Sequence, residues 1–337
     1  MVAVSDSHYG KIITSQFIPA WWAKNRHMQT VWPRYLQKRK QVDLTWQRLE
    51  LPDGDFVDLS WTPKPQKSKG IAVLFHGLEG SAKSHYARDM LAVMAQRGWH
   101  AVMMHFRGCS NEANRLHRAY HSGDTGDALY CINWLEKQFP SINKVAVGFS
   151  LGANMLLKLL GENPTQKILK AAVCVSPPFR LEDCAAAINH GFSNNYQKYL
   201  LRSMVRKLTA KMAILDYSQY LDISLDSLKK LTTFREFDEY VTAPLHQFNG
   251  AQDYYDKCSA IGFTQKVNIP TLVLHAKDDP FMTPEIIPPA QQLSPAITIE
   301  LSEHGGHVGF MQGTPWHPKV WLHQRVPQFF DEQLGFD

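Results

Sequence analysis

Apolar positions follow two rhythms along this chain. Unbroken apolar runs of strand length lie at residues 70–75, 100–106, 144–149, 171–176 and 270–275, with a shorter one at 297–301. Between them, apolar residues recur at helical spacing. Tyr86, Met90, Leu91 and Met94 mark one face over 84–98, and Ala128, Leu129, Ile132 and Leu135 mark another over 125–139. Further helices are expected over 151–161, closed by a glycine, and over 320–334. Strands that are apolar throughout, alternating with amphipathic helices, predict a mostly parallel sheet covered on both faces.

The alternation fails in two places. Residues 180–267 are polar and rich in Lys, Tyr and Asp, yet Leu200, Leu201, Met204, Leu208, Met212 and Leu215 keep near-helical spacing. This stretch is expected to be a helical cap inserted between two strands. The first forty residues hold Trp21, Trp22 and Trp32 with His27 and Gln29, and are expected to form an arm (1–40) packed on the body (41–337).

The junction of the run at 144–149 with the following helix carries the chemistry. It reads Gly148-Phe149-Ser150-Leu151-Gly152. A serine hydroxyl needs a base to become a nucleophile, and a strand–turn–helix elbow projects it into a site. Glycines two positions either side relieve crowding at that turn. The pentapeptide alone arises by chance in long chains, but the strand before it and the helix after it make Ser150 the expected nucleophile. The elbow predicts an acid and then a histidine later in the chain. Asp278 and Asp279 follow the run at 270–275, and Asp279 is the expected acid, with Asp278 a turn or supporting residue. His304 and His307 lie in Glu303-His304-Gly305-Gly306-His307, and His307 is the expected base. Glu303, His304 and His307 also spell a metal reading. It is set aside because a glycine loop holds no fixed ligand geometry and no further Cys or Asp stands nearby. No metal or organic cofactor is expected.

An acyl-transfer oxyanion needs preorganised donors. The N–H of Leu151, after the nucleophile, is one expected donor. The N–H of Leu78, in His76-Gly77-Leu78-Glu79-Gly80-Ser81, is the other. His76 is expected to brace that loop. Cys109 has no local base and is not expected to act as a nucleophile. His121 is read as part of a bracing network, with Asp124 as a helix N-cap.

Composition narrows the picture. Apolar residues make up 44% and charged residues 20%, and the net charge is +5 over 337 residues. Basic residues cluster at Lys38-Arg39-Lys40 and around Arg202, Arg206, Lys207 and Lys211, read first as a solvated face and alternatively as a skin for anionic lipid. No groove-reading motif accompanies them, so nucleic acid is not an expected partner. Five scattered cysteines, none in a C-x-x-C pair, suit a reducing cytoplasm. No signal peptide and no membrane-spanning stretch are expected. The oligomeric state is not legible.

These blocks together resemble the YheT-like branch of the α/β-hydrolase superfamily, which includes bacterial proteins named as esterases and eukaryotic abhydrolase-domain lipases. The resemblance rests on Ala20-Trp21-Trp22, His27-Met28-Gln29-Thr30, the loop from His76 to Ser81, Arg107-Gly108-Cys109-Ser110, Tyr120-His121-Ser122-Gly123, the elbow, His275 to Phe281, and Gly305 to Phe310. It implies an α/β-hydrolase fold with an eight-stranded, mostly parallel sheet and a helical cap after the sixth strand. It also implies a triad of Ser150, Asp279 and His307 that cleaves carboxylic esters. Ala153 and Asn111 stand where the family often has glycine. Asn111 is expected to adopt the left-handed conformation glycine would supply, and Ala153 to tighten the helix packing. An alcohol acyltransferase, a peptidase and a non-catalytic binding protein remain open on the sequence.

Overall fold

In the computed structural model, residues 8–336 are described. Residues 1–7 of the expected arm therefore lie outside the described residues.

The central sheet has the strand order β1-β9-β8-β7-β6-β4-β5-β3-β2. Its strands are β1 (Lys11–Thr14), β2 (Thr45–Glu50), β3 (Phe56–Trp61), β4 (Gly70–Phe75), β5 (Trp99–Met104), β6 (Lys144–Phe149), β7 (Leu169–Val175), β8 (Thr271–Ala276) and β9 (Ile297–Ser302). Only the pairings of β3 with β2 and β5 are antiparallel. The sheet thus gains a ninth strand beyond the eight expected. Lys11–Thr14 pairs in parallel with β9 and covers what would otherwise be an open edge.

Helices α2 (His85–Gln96) and α11 (Leu322–Leu334) pack on one face of the sheet. Helices α3 (Gly126–Gln138) and α4 (Leu151–Glu162) pack on the other. The period of two in β4 sends Ile71, Val73 and Phe75 to the α3/α4 core, and Ala72 and Leu74 to the α2/α11 core. The last helix starts two residues later than its pattern suggested. Val320 is held in a small hairpin of β10 (Met311–Thr314) and β11 (His317–Val320).

Between β7, the sixth strand if β1 is not counted, and β8 lie α5 (Leu181–Ala187), α6 (Asn194–Met212), α7 (Leu225–Leu228), α8 (Phe234–Phe237), α9 (Ala243–Leu245) and α10 (Ala251–Cys258). They have a core of their own, with Leu201, Leu208, Tyr217, Leu228, Phe237 and Val241 buried together. From the arm, α1 (Arg26–Tyr35) lies against α2 and beside the start of α6. Among the described residues, no helix is long and apolar enough to cross a membrane.

Candidate active site

Ser150 occupies the single residue between β6 and α4, with φ 52° and ψ −117°. A positive φ is costly for a residue with a Cβ and persists only where the surroundings enforce it. They do so here. A Cβ on Gly148 would stand 2.5 Å from the Gly152 carbonyl oxygen, and one on Gly152 would stand 2.5 Å from the carbonyl oxygens of Phe75 and His76. The glycines allow strand, serine and helix to close on one another, and the Ser150 N–H donates to the Val175 carbonyl at 2.8 Å.

The Oγ of Ser150 lies 2.9 Å from Nε2 of His307. On the other side of the ring, Nδ1 lies 2.7 Å from Oδ2 of Asp279. A carboxylate there accepts a hydrogen bond from Nδ1–H, which leaves Nε2 as the acceptor for the serine hydroxyl. Asp279 is 1% exposed, and its other oxygen accepts from the Phe281 N–H at 2.8 Å. Phe281 stacks on the imidazole, its ring 4.0 Å away and nearly parallel. The neighbouring carboxylate, Asp278, turns away. It accepts from the Gly306 N–H at 3.0 Å and meets Nδ1 of His304 at 3.1 Å, and burial raises its pKa. Glu303 pairs with Lys277. Glu303, His304 and His307 thus reach for three different partners.

The His307 loop is wound tightly, with φ positive at Gly306, Val308 and Phe310. Its supports come from distant segments. The His307 N–H donates to Thr30 Oγ1 of α1 at 3.0 Å, and the Val308 N–H donates to Ser176 Oγ at 3.2 Å. Gln29, fully buried, accepts from the Met311 N–H and donates to the carbonyls of Ala23 and Met311. The block His27-Met28-Gln29-Thr30 therefore acts as a splint on the histidine loop. Its residue types alone did not reveal this.

The loop after β4 passes beside the serine. Its backbone donors are nearly all engaged. The Gly77 N–H donates to the Tyr86 hydroxyl, the Glu79 N–H to the Tyr120 hydroxyl, both at 2.8 Å, and the Gly80 N–H to the Gly77 carbonyl. The Leu78 N–H has no such partner among the described residues. Leu151 opens α4, where the first N–H groups lack intrahelical acceptors, and its N–H is likewise unengaged. His76 holds the loop from below. Its Nε2 accepts from the Phe106 N–H at 3.1 Å, and Nδ1 lies 2.7 Å from the Gly77 carbonyl. Burial lowers its pKa to about 3, so the ring stays neutral. Tyr86, Tyr120 and Glu79 belong to this scaffold and carry no sequence signal of it. The Glu79 carboxylate takes Ser203 Oγ at 2.6 Å and Lys207 Nζ at 3.0 Å, both from α6, which ties the loop to the cap.

Ser150, Leu78 and Leu151 form part of the wall of a cavity of about 430 Å³. Its far side is cap, including Met204, Leu208, Phe237 and Val241. That size falls within the range of small-molecule ligand pockets.

Three sequence expectations near the site need correction. Lys207 and Lys211 do not lie on a solvated face. Lys207 reaches Glu79, and Lys211 points inward to Asn114 Oδ1 at 2.9 Å, with burial lowering its pKa to about 8. The N-cap position of helix α3 is Thr125, whose side chain makes no capping hydrogen bond, and Asp124 does not cap it either. Asp124 instead takes Arg118 at 2.5 Å. His121, read as a brace, accepts from the Gly123 N–H at 3.2 Å and packs on the His246 ring. Asn111 is absent from the positive-φ residues, and the left-handed turn falls on Gly108. Cys109 is buried, which pushes its pKa up to about 11.

A family model described as the alpha/beta hydrolase fold matches residues 73–314, which holds the elbow, both aspartates and the histidine loop. The chain belongs to the α/β-hydrolase family. Within that family it is 46% identical to the Escherichia coli K12 protein named "Putative esterase YheT", over 95% of this chain and 94% of that one. A monoacylglycerol lipase of Saccharomyces cerevisiae is 30% identical over 74% of this chain, which spans 57% of that relative's length. Among solved structures, this α/β-hydrolase superposes on an esterase of Pyrococcus furiosus with a TM-score of 0.56. That match is 14% identical and covers 90% of this chain and 97% of the other, a likeness of fold alone.

Proposed function

We propose that this α/β-hydrolase cleaves carboxylic esters through an acyl-enzyme on Ser150. One observation carries the reading: an unbroken chain from the buried Asp279 through His307 to Ser150, with links of 2.7 and 2.9 Å, that ends in an apolar cavity. Nε2 of His307 takes the hydroxyl proton as Oγ attacks the ester carbonyl. The tetrahedral oxyanion is met by the unengaged N–H groups of Leu78 and Leu151. His307 returns the proton to the departing alcohol, and the acyl group remains on Oγ. Water, deprotonated by the same imidazole, then releases the acid. Asp279 fixes the ring and stabilises its charged form.

The cap side of the cavity suits an apolar acyl chain, and the relatives named as esterase and monoacylglycerol lipase agree in class. A panel of nitrophenyl esters of increasing acyl length, run beside Ser150→Ala, tests the reading. The variant is expected to lose activity by about 10³-fold or more, together with labelling by a fluorophosphonate probe. Residual activity within tenfold of wild type would sink the mechanism.

A further inference from the structure

Two stretches far apart in sequence share an unusual charge balance. Residues 17–40 of the arm hold six Lys or Arg and no Asp or Glu. Helix α6 of the cap holds five and again no acid. Such stretches would attract little notice if they faced apart, but they meet. The Arg34 guanidinium sits 4.3 Å from the Tyr199 ring and 5.2 Å from the Tyr35 ring. The His27 ring lies 4.7 Å from the Phe192 ring, with Nδ1 3.2 Å from the Tyr196 hydroxyl.

Their outward sides carry large apolar groups. Tyr35 is 65% exposed, Leu36 64%, Phe192 57% and Tyr199 52%. Along α6, Tyr199, Arg202, Arg206 and Ala210 are exposed at spacings of three and four, which places them on one face. Ile214, 81% exposed, follows just past the helix end and also lines the outer part of the cavity. Lys207 and Lys211, on a different flank of α6, have partners within the protein. Lys198, Arg202 and Arg206 have no carboxylate partner among the described residues.

We propose that the joined outer faces of α1 and α6 dock on the surface of an anionic lipid bilayer. Tyrosine and other large apolar groups beside unpaired cations are the make-up of interfacial helices. The charge is complementary to an acidic headgroup layer. The geometry fits a lipid-borne substrate as well. Helix α6 lines the cavity, and Ile214, just past its end, is both exposed and part of the cavity wall. At the other end of the helix, Tyr196 packs on Phe281 at 5.1 Å, which stacks on His307. The proposal is independent of the ester-hydrolase reading, because binding is measured without turnover.

Flotation of the full chain with vesicles provides the test. One set is pure phosphatidylcholine, and the other contains phosphatidylglycerol at about a third of the lipid. Binding is expected on the anionic vesicles only, and 0.5 M salt should largely abolish it. Removing two surface cations near an acidic membrane lowers affinity about 30-fold. The double variant Arg202→Glu/Arg206→Glu is expected to lose at least that much while keeping its unfolding midpoint. Lys198→Glu repeats the test if the double variant does not fold. Tyr35→Ser/Leu36→Ser should weaken the part of the binding that survives salt. Absence of binding to anionic vesicles, or equal binding by charge-reversed protein that is folded, would overturn the proposal. So would equal affinity for a short DNA duplex, which would make the surface a general polyanion site.

Discussion

Two Asp–His pairs stand side by side in this molecule, built from the same two loops. Asp279 meets His307 and Asp278 meets His304, at 2.7 and 3.1 Å. Adjacent aspartates at the end of β8 supply both acids, and histidines three residues apart after β9 supply both bases. Their surroundings differ. The first pair is almost wholly buried and its ring reaches Ser150. The second has its histidine side chain 46% exposed and reaches nothing further. A residue pair gains a chemical task only where burial excludes water from it and backbone geometry aims it. In the second pair the aspartate is mostly buried, but the histidine stays open to solvent and its ring meets no nucleophile. The pair serves to pin Gly306, the residue before His307, through the other oxygen of Asp278.

The contrast can be broken by substitution. The largest expected effect is for Asp279→Ala, which should lower kcat on a soluble nitrophenyl ester by about 10³- to 10⁴-fold, as removing the orienting acid does in other triads. Next is Gly309→Ala. A Cβ there would fall 2.1 Å from the Gln29 carbonyl oxygen. The variant should lose about 3 kcal/mol of stability in urea unfolding, and activity should fall with it because both histidines ride on this loop.

His246 sharpens the comparison as a histidine with no carboxylate at all. The residue is partly exposed, but its Nε2 is buried with no hydrogen-bond partner among the described residues, and desolvation lowers its pKa to about 2. The unfolded chain protonates this ring below pH 6.5 and the folded chain does not, so the ring withdraws stability as pH falls. His246→Phe removes that proton uptake. Its stability relative to wild type should grow by roughly 1.4 kcal/mol for each pH unit below 6.5, down to about pH 4.5. A constant difference across that range would refute the assignment.

The smaller effects lie with the second pair. Asp278→Ala removes two hydrogen bonds worth about 1 kcal/mol each, so activity should drop no more than about tenfold. His304→Ala should change kcat less than about threefold. A collapse of activity in Asp278→Ala comparable with that in Asp279→Ala would erase the distinction between the pairs.

Much of the fold was legible because its strands are buried on both faces and therefore read as solid apolar runs. The strand β4 came out of the pattern with its bounds intact, and the elbow came with it. The two Asp–His pairs could be ranked from spacing, yet nothing in the residue types says that Asp278 would face His304. The strand β2, Thr45–Glu50, was not placed. It lies at the sheet's far edge with five of its six residues exposed, so it carries no core signal. The charge on Lys207 and Lys211 misled for a different reason. Their long stems let the cationic ends reach inward to acceptors on a loop about a hundred residues away in sequence, and periodicity within α6 cannot report that partner. Thr30 and Gln29 were invisible as supports of His307 for the same reason, since the contact exists only after the arm has crossed to the far end of the chain.

That crossing has a consequence for how the protein is made. Lys11 to Thr14 lie in register with Thr298 to Leu301, and α1 braces a histidine loop that follows directly. The ribosome delivers the arm first and its partner strand nearly last. The arm must wait unpaired while the α2–α4 portion of the sheet condenses around local contacts, and it docks only when β9 has left the exit tunnel. Ser150 is therefore folded into its elbow long before a histidine stands beside it. The link from Asp279 through His307 to Ser150 needs segments made early and late, the arm among them.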